Sequence, residues 1–335
     1  MVKFSRILRP EAILALEGLS NASHDNWWKE LLRLWAPAGS PDGLRLAIRS
    51  NYIDFYRMGN RIAHVSFGQS KKGEAAPISV RTHAKYVGGE HAGDNEVKLC
   101  ENGRGLSWND RFDFTSFAEI SRNIDSRMAE VRKSSPRRGL EKLGVDVILA
   151  NNPAVIDLEM ALSPDPRVPE SGDGPPRMDL VALEKHEQEI RIVFWEAKTF
   201  DDPRLRFEDV GQVENDRKTT KKKNVLTQLK TYSNYVAYED RRREIIVAYR
   251  ETCRLLTWFW SMRGEKTPLH SLIVQAAAES SNLMIDLKPR LIVFSSEGGK
   301  DVNSDPFWTR HKDRIVNADY PMIVKNRAAE ISLPL

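Results

Sequence analysis

Two short patterns in this 335-residue chain hold residue types suited to chemistry on a phosphate. In IRIVFWEAKTF, Ile192, Phe194, Glu196 and Lys198 are spaced two apart, so a strand here directs all four side chains to one face. A carboxylate and an amine thus leave an otherwise apolar strand side by side. Asp179 stands in RMDLVALE amid Met178, Leu180 and Val181, where a carboxylate without a partner would be costly. The polar EKHEQE between the two runs reads as the turn of a hairpin that pairs residues 177–183 with 190–198. Asp179, Glu196 and Lys198 then converge at one strand end. Such a trio suits a hard divalent cation, since Mg²⁺ takes oxygen ligands, commonly one or two carboxylates completed by water and substrate phosphate. The lysine would not ligate the metal. It would stand by the attacking water or the scissile phosphate, positioning or deprotonating the one and neutralising the other.

The elements that must hold this trio can be read outward from it. Upstream, Ile156, Leu158, Met160 and Leu162 alternate with Asp157 and Glu159, a first strand of the same unit. Before it, RRGLEKLGVDVILAN carries the helical stripe Leu140, Leu143, Gly144, Val147 and Ala150, and a further helix begins at Thr115. Downstream the chain reads as helices with one late strand, PRLIVFSS, and a final amphipathic stretch, DPFWTRHKDRIV. Residues 1–114 read as an α+β module of their own. There PEAILALEGL and HDNWWKELLRLW are helical, and LRLAIR, NYIDFYRMG, RIAHVSFG and ISVRTHAKYV alternate like antiparallel strands. The polar segment from Gly88 to Asp110 separates the units. In NYIDFYR, Tyr52, Asp54 and Tyr56 share one face, which is either the aromatic outer side of a half-buried meander or a platform for stacking bases.

Composition narrows the classes. With 41% apolar and 29% charged residues the chain is not a disordered one. No apolar run nears the roughly 20 residues of a membrane helix, and Cys100 and Cys253 are too few for a disulfide framework or a cysteine-only zinc site. A soluble, cytoplasmic protein is expected. The net charge of +4 conceals a local feature: residues 217–243 hold nine basic residues against Glu239 and Asp240. Arg217, Lys218, Lys221, Lys222, Lys223 and Lys230, followed by Arg241, Arg242 and Arg243, point to a polyanionic partner such as nucleic acid. Other catalytic patterns fail. ENGRGLSW lacks the third glycine of a dinucleotide loop, His186-Glu187 has Ile190 where a zinc protease needs its second histidine, and no Gly-x-Ser-x-Gly occurs.

Asp179 in PPRMDLV and Glu196-Ala197-Lys198 in FWEAK resemble the second and third motifs of the PD-(D/E)XK nuclease superfamily, with Met178 in place of the proline. VLTQLKTYSNYV resembles the QxxxY element of its RecB-like branch, with Gln228 and Tyr232 four apart on one helical face and Tyr235 an alternative partner. The resemblance implies an α/β fold with a restriction-endonuclease-like core, a mixed central sheet flanked by helices. Its order is helix, three-stranded meander, helix, strand and helix, which the resemblance places at roughly residues 137–310 of a nuclease domain, 115–335, that carries a C-terminal extension. The 1–114 module would then serve sensing, or the binding of a partner or substrate. The resemblance also implies that Asp179, Glu196 and the Ala197 carbonyl hold one or two Mg²⁺ (or Mn²⁺) ions while Lys198 assists the water. An acidic residue on the preceding helix would hold a second metal or water; Glu141 matches best, with Glu130, Asp157 and Glu159 as rivals. Gln228 would orient a water or phosphate, with Tyr232 bonding beside it. The implied activity is metal-dependent hydrolysis of nucleic acid, DNA ahead of RNA, in a bacterial or archaeal defence or restriction system. Alternatives are an RNA nuclease and a non-catalytic nucleic-acid-binding assembly subunit. No membrane partner is expected, and a homo-oligomer or a protein partner at the N-terminal module is left open.

Overall fold

Two sheets organise the chain. The computed structural model describes residues 3–36, 43–87, 96–102, 105–108, 114–134, 139–168, 177–206, 224–264, 268–295, 301–304 and 306–335. Helices α1 (Pro10–Asn21) and α2 (Trp27–Leu34) precede β1 (Arg45–Arg49), β2 (Tyr52–Arg57), β3 (Asn60–Phe67) and β4 (Ile78–His83). The single turn α3 (Ala84–Val87) leads to β5 (Glu96–Asn102), β6 (Gly105–Trp108) and β7 (Phe114–Thr115). These seven strands form an antiparallel meander in sequence order. The Gly88 to Asp110 segment, read from the sequence as a separator, thus supplies β5 and β6 to this sheet. Next come α4 (Phe117–Ser134) and α5 (Leu140–Asn151). Helix α4 packs with the first sheet: Phe117, Ile120 and Ile124 are fully buried, and Asp125 holds Arg57 of β2 at 2.8 Å.

The second sheet begins with β8 (Val155–Ala161), β9 (Arg177–His186) and β10 (Glu189–Thr199), an antiparallel meander. After α6 (Pro203–Arg206), α7 (Val225–Ala237), α8 (Glu239–Arg263) and α9 (Ser271–Ala277) come β11 (Leu283–Ile285) and β12 (Arg290–Phe294), both parallel to β10. Helix α10 (Pro306–Asn317) precedes β13 (Met322–Lys325), which is parallel to β12. The class is therefore mixed α/β with two sheets. Strands β11 and β13, three and four residues long, are too short to show alternation, so only β12 is visible in the sequence.

Local chemistry explains the key boundaries. The Asn26 carboxamide accepts the N–H groups of Trp28 and Lys29 at the start of α2, and Asn224 accepts that of Thr227 at the start of α7. Helix α8 stops where Gly264 adopts φ +73°, a conformation costly to any residue with a Cβ. In α5 the buried positions are Gly144, Asp146, Ile148, Leu149 and Ala150, a face rotated from the stripe read in the sequence because Asp146 turns inward to meet Arg45 of β1 at 3.4 Å. Gly144 allows the helix to lie on β12: a Cβ there would stand 2.1 Å from the Phe294 ring. That contact also sets the depth of Glu141, one turn earlier.

Both faces of the second sheet are covered. Ile192 and Phe194 of β10 meet Tyr232 of α7 and Tyr249 of α8, with ring centroids 6.1 and 6.5 Å from Phe194. On the other face Val193, Trp195 and Ala197 pack with Ile148 and Leu149 of α5 and with Ile331 and Leu333 of the C-terminal tail. The larger buried cluster runs through both sheets, and α8 carries it across: Phe259 packs on Trp28 at 5.2 Å, and Trp260 on Trp35 at 5.6 Å. The Trp258-Phe259-Trp260 run is thus helix-packing material. Tyr52 and Tyr56 are half-buried while Asp54 between them is buried, so the face they share is not a plain exposed aromatic one. No described helix is long and apolar enough to cross a membrane.

Candidate active site

The β9–β10 ladder runs from Glu189↔His186 to Trp195↔Leu180, which sets Glu196 at the level of Asp179 where regular pairing ends. Beyond the ladder the Asp179 carboxylate takes the place of a backbone acceptor: its Oδ2 accepts the Ala197 N–H at 2.7 Å. The two strands are thereby pinned through the aspartate itself. Lys198, two residues on from Glu196, contacts it through Nζ and lies 3.3 Å from Asp179 Oδ2 and 3.4 Å from Glu141 Oε1. The same Nζ donates to the Ala197 carbonyl at 2.7 Å. Glu196 and Lys198 are each only 1% exposed, whereas Asp179 and Glu141 are partly open to a cleft of about 280 Å³ that all four line.

One wall of that cleft was not legible in the sequence. Arg204 of α6 donates through Nη2 to both oxygens of Glu141, at 3.3 and 3.0 Å, and to Asp202 Oδ2 at 2.6 Å. Asp202 also accepts the Arg204 backbone N–H at 2.7 Å, an Asx-type turn that sets the helix start. The Arg204–Glu141 contact joins positions 63 apart, and no local spacing reports such a pair. Gly59, at the turn between β2 and β3, and Lys142 complete the rim, with Lys142 Nζ donating to the Gly59 carbonyl at 3.2 Å.

Four carboxylates, of Glu141, Asp179, Glu196 and Asp202, therefore share two cations, Lys198 and Arg204. The protonation equilibria follow from that imbalance. Burial, reinforced by the charge on Asp179, pushes Glu196 up to about 8. Burial also raises Glu141 above the usual carboxylate range. For Lys198 burial acts against the charge, but Asp179, Glu196 and Glu141 outweigh it and hold the amine above its ordinary value. Asp202, which burial alone would raise, is held down at about 2 by Arg204. The lysine keeps its proton, and the most buried carboxylate tends to take one up.

Among the described residues, no group of three or more His, Cys, Asp and Glu side chains stands in metal-holding geometry; the Lys198 ammonium stands among the carboxylates instead. The donor set nevertheless fits a hard cation. Glu196 Oε2 is buried with no hydrogen-bond partner, a costly state for a carboxylate oxygen, and the available donors are all oxygens in a cluster with surplus negative charge.

The other expected site residues divide. Gln228 lines the cleft, with Nε2 donating to the Arg177 carbonyl at 2.8 Å. Tyr232 does not line it, although burial and then the nearby charges of Glu196 and Asp179 hold its hydroxyl well above the ordinary tyrosine value. Its ring is fully buried on the Phe194 side and its hydroxyl donates to the Met160 carbonyl at 3.2 Å, because i and i+4 share a helix face only broadly and this one straddles core and cleft. Tyr235 is buried as well, its ring 5.3 Å from the Arg241 guanidinium. Of the rivals to Glu141, Asp157 is consumed in a buried cluster with Arg6, Arg49 and Tyr249. Glu159 lines the cleft with φ +49° and its side chain makes no hydrogen bond or ion pair among the described residues; the side chain of Glu130 lies outside them. Arg217, Lys218, Lys221, Lys222 and Lys223 also lie outside the described residues, while Lys230 is exposed on α7. The basic window is shorter than its composition suggests. Arg241 is fully buried between Asp165 at 2.6 Å and Glu244 at 2.8 Å, Arg242 donates to the Val236 and Ala237 carbonyls, and Arg243 pairs with Glu239. Arg241 thus anchors α8, Arg242 caps the end of α7, and Arg243 is spent on its own helix.

No protein-family model, no curated protein and no solved structure matches this chain, so its family reading rests on the residues themselves.

Proposed function

We propose that this chain is a metal-dependent nuclease of the PD-(D/E)XK type, hydrolysing phosphodiester bonds of nucleic acid, DNA ahead of RNA. The observation that carries the reading is the convergence of Glu141, Asp179 and Glu196 on Lys198 in a cleft, with one Glu196 oxygen buried and unpartnered. The order α5, the β8–β9–β10 meander, α7 and α8, then β12 parallel to β10 and α10, supports a restriction-endonuclease-like core. A nuclease joined to an antiparallel module fits a defence or restriction component of bacteria or archaea by analogy of architecture alone.

In this reading Asp179 and Glu196, with Glu141 as a further donor, would hold Mg²⁺ or Mn²⁺. The cation would supply positive charge against the phosphate as negative charge develops on it. Asp179 is pre-aimed by the Ala197 N–H, so little reorganisation precedes binding. Lys198 holds its proton at Nζ, from which it could donate hydrogen bonds to a phosphate oxygen or to the attacking water. Gln228, anchored on the Arg177 carbonyl, borders the space in which a phosphate or water would lie. Lys230 and the lysines before it would neutralise the backbone without reading sequence.

The deciding experiment incubates the protein with plasmid, single-stranded DNA and RNA in Mg²⁺, Mn²⁺ or EDTA, beside Lys198→Ala. Metal-dependent cleavage by the parent that the variant lacks is expected. One observation favours a second reading, a nucleic-acid-binding assembly subunit: the Lys198 and Arg204 cations already occupy the carboxylates. Nucleic-acid binding without cleavage of any substrate in either metal, by parent and variant alike, would establish that reading instead.

A further inference from the structure

The first sheet carries a second polar surface outside the cleft. Its inner face, with Ile53, Phe55, Val65 and Val80, lies in the core. On the outer face the strand register sets Asp54, His64, Arg81 and Lys98 in one row across β2, β3, β4 and β5, with Tyr52, Ser66 and Ser79 in the adjacent row. Asp54 is buried and lies 2.7 Å from His64 Nδ1, while the Tyr56 hydroxyl lies 3.3 Å from its other oxygen, so the imidazole is held in one orientation. Tyr52 packs on that imidazole with ring centroids 4.9 Å apart. Arg81 and Lys98 are exposed and make no ion pair or side-chain hydrogen bond among the described residues. Two unspent cations thus stand beside an aromatic pair whose rings are only partly covered.

The β2–β3 hairpin that carries part of this surface reaches the cleft at its turn. The β2–β3 turn is itself a cleft wall, since Gly59 lines it and is tied to Lys142, the neighbour of Glu141. At about 3.3 Å per residue, Asp54 and His64 lie about 17 Å along the strands from that wall, a few nucleotides of extended chain.

We propose that the outer face of β2 to β5 binds the single-stranded part of a nucleic acid whose scissile phosphate lies in the cleft. Bases would stack on the Tyr52 and His64 rings while Arg81 and Lys98 hold the backbone. A single strand is the fitting occupant because rings set in an open sheet can stack only on bases already freed from a duplex. The inference rests on the nuclease reading of the cleft for the position of the scissile phosphate, and on the sheet alone for binding.

The test measures binding by the full chain in EDTA, where cleavage cannot intervene, using the fluorescence anisotropy of a labelled oligonucleotide, single-stranded or annealed to its complement. Arg81→Glu/Lys98→Glu should weaken single-strand binding by about tenfold or more and flatten its salt dependence by about 0.7 per lost phosphate contact. Tyr52→Ala should weaken it by about 5-fold to 160-fold, the range for losing one stacked base. Duplex binding should change far less, and Lys185→Glu, at an exposed position of β9, should change neither. Single-strand affinity indifferent to both variants, or single-strand and duplex affinities falling together, would overturn the proposal. Cleavage of the same oligonucleotide by the parent in Mg²⁺ is scored separately. A parent that binds through this face but never cleaves retires the nuclease reading and keeps the platform; a parent whose binding and cleavage both ignore the variants does the reverse.

Discussion

Two buried acidic clusters sit on adjacent strands of the second sheet, and they balance charge in opposite ways. On β8, Asp157 is saturated: Oδ1 accepts from Arg49 and from the Leu158 N–H at 2.9 Å, and Oδ2 from Arg6 at 3.2 Å and the Tyr249 hydroxyl at 3.0 Å. Burial would raise this carboxyl, but Arg49 and Arg6 outweigh it and hold it below the usual range. On β9 and β10 the carboxylates outnumber their cations, one oxygen is orphaned, and Glu196 is driven upward. The saturated cluster joins the N-terminal segment, the first sheet and α8, and it asks for nothing further. The unsaturated one can still take up a proton or another cation, which is what the proposed metal site requires.

The contrast is tested most severely by Lys198→Ala, which should cut the proposed nuclease turnover by about 10²-fold to 10³-fold, the loss of one charge-stabilising donor, while sparing nucleic-acid binding. It should also leave a thermal shift on adding Mg²⁺, because the carboxylates remain. A variant that cleaves at the parent rate removes the lysine from the chemistry.

Asp157→Ala should do the converse. Stripping the carboxylate from two buried guanidinium groups should cost about 3–5 kcal/mol in urea unfolding, with no recovery on adding metal. A loss under about 1 kcal/mol would mean that the joint is not where the two sheets are held.

The two clusters should also separate by pH. Glu196, raised from an ordinary 4.5 to about 8, binds a proton more readily folded than unfolded. Its contribution is therefore complete below pH 4.5 and lost as pH rises towards 8, so the metal-free protein should lose stability across that window. A divalent cation competes with that proton, so the Mg²⁺-induced rise in Tm should be larger at pH 8 than at pH 6. Equal shifts at both values would place the metal away from Glu196.

Smaller effects sharpen the boundary of the site. Arg204→Ala frees Glu141 and deepens the negative charge, so Mg²⁺ affinity measured by calorimetry should rise by up to about fivefold, a modest gain in keeping with a partly exposed pair. Unchanged affinity would assign Arg204 to the wall alone. Tyr232→Phe is expected to cost about 1 kcal/mol of stability and to leave cleavage intact, since its hydroxyl serves the Met160 carbonyl. A drop in cleavage without a drop in stability would return that tyrosine to the site.

Periodicity was enough to locate the β9–β10 hairpin and to put Glu196 and Lys198 on one face, because a strand's side chains alternate whatever surrounds it. The stretch that becomes α7, with Gln228 on it, was legible for the same local reason. What only tertiary packing decided are the contacts between residues far apart in the chain. Arg204 reaches Glu141, Asp157 collects Arg6 and Arg49, and Arg241 is drawn from an apparent cationic run into a buried pair with Asp165. Tyr232 shows the limit most plainly, since its spacing from Gln228 is as the motif requires while its ring faces the core. A sequence records which residues share a face; which face is buried, and which charges meet there, depends on what the rest of the chain packs against it.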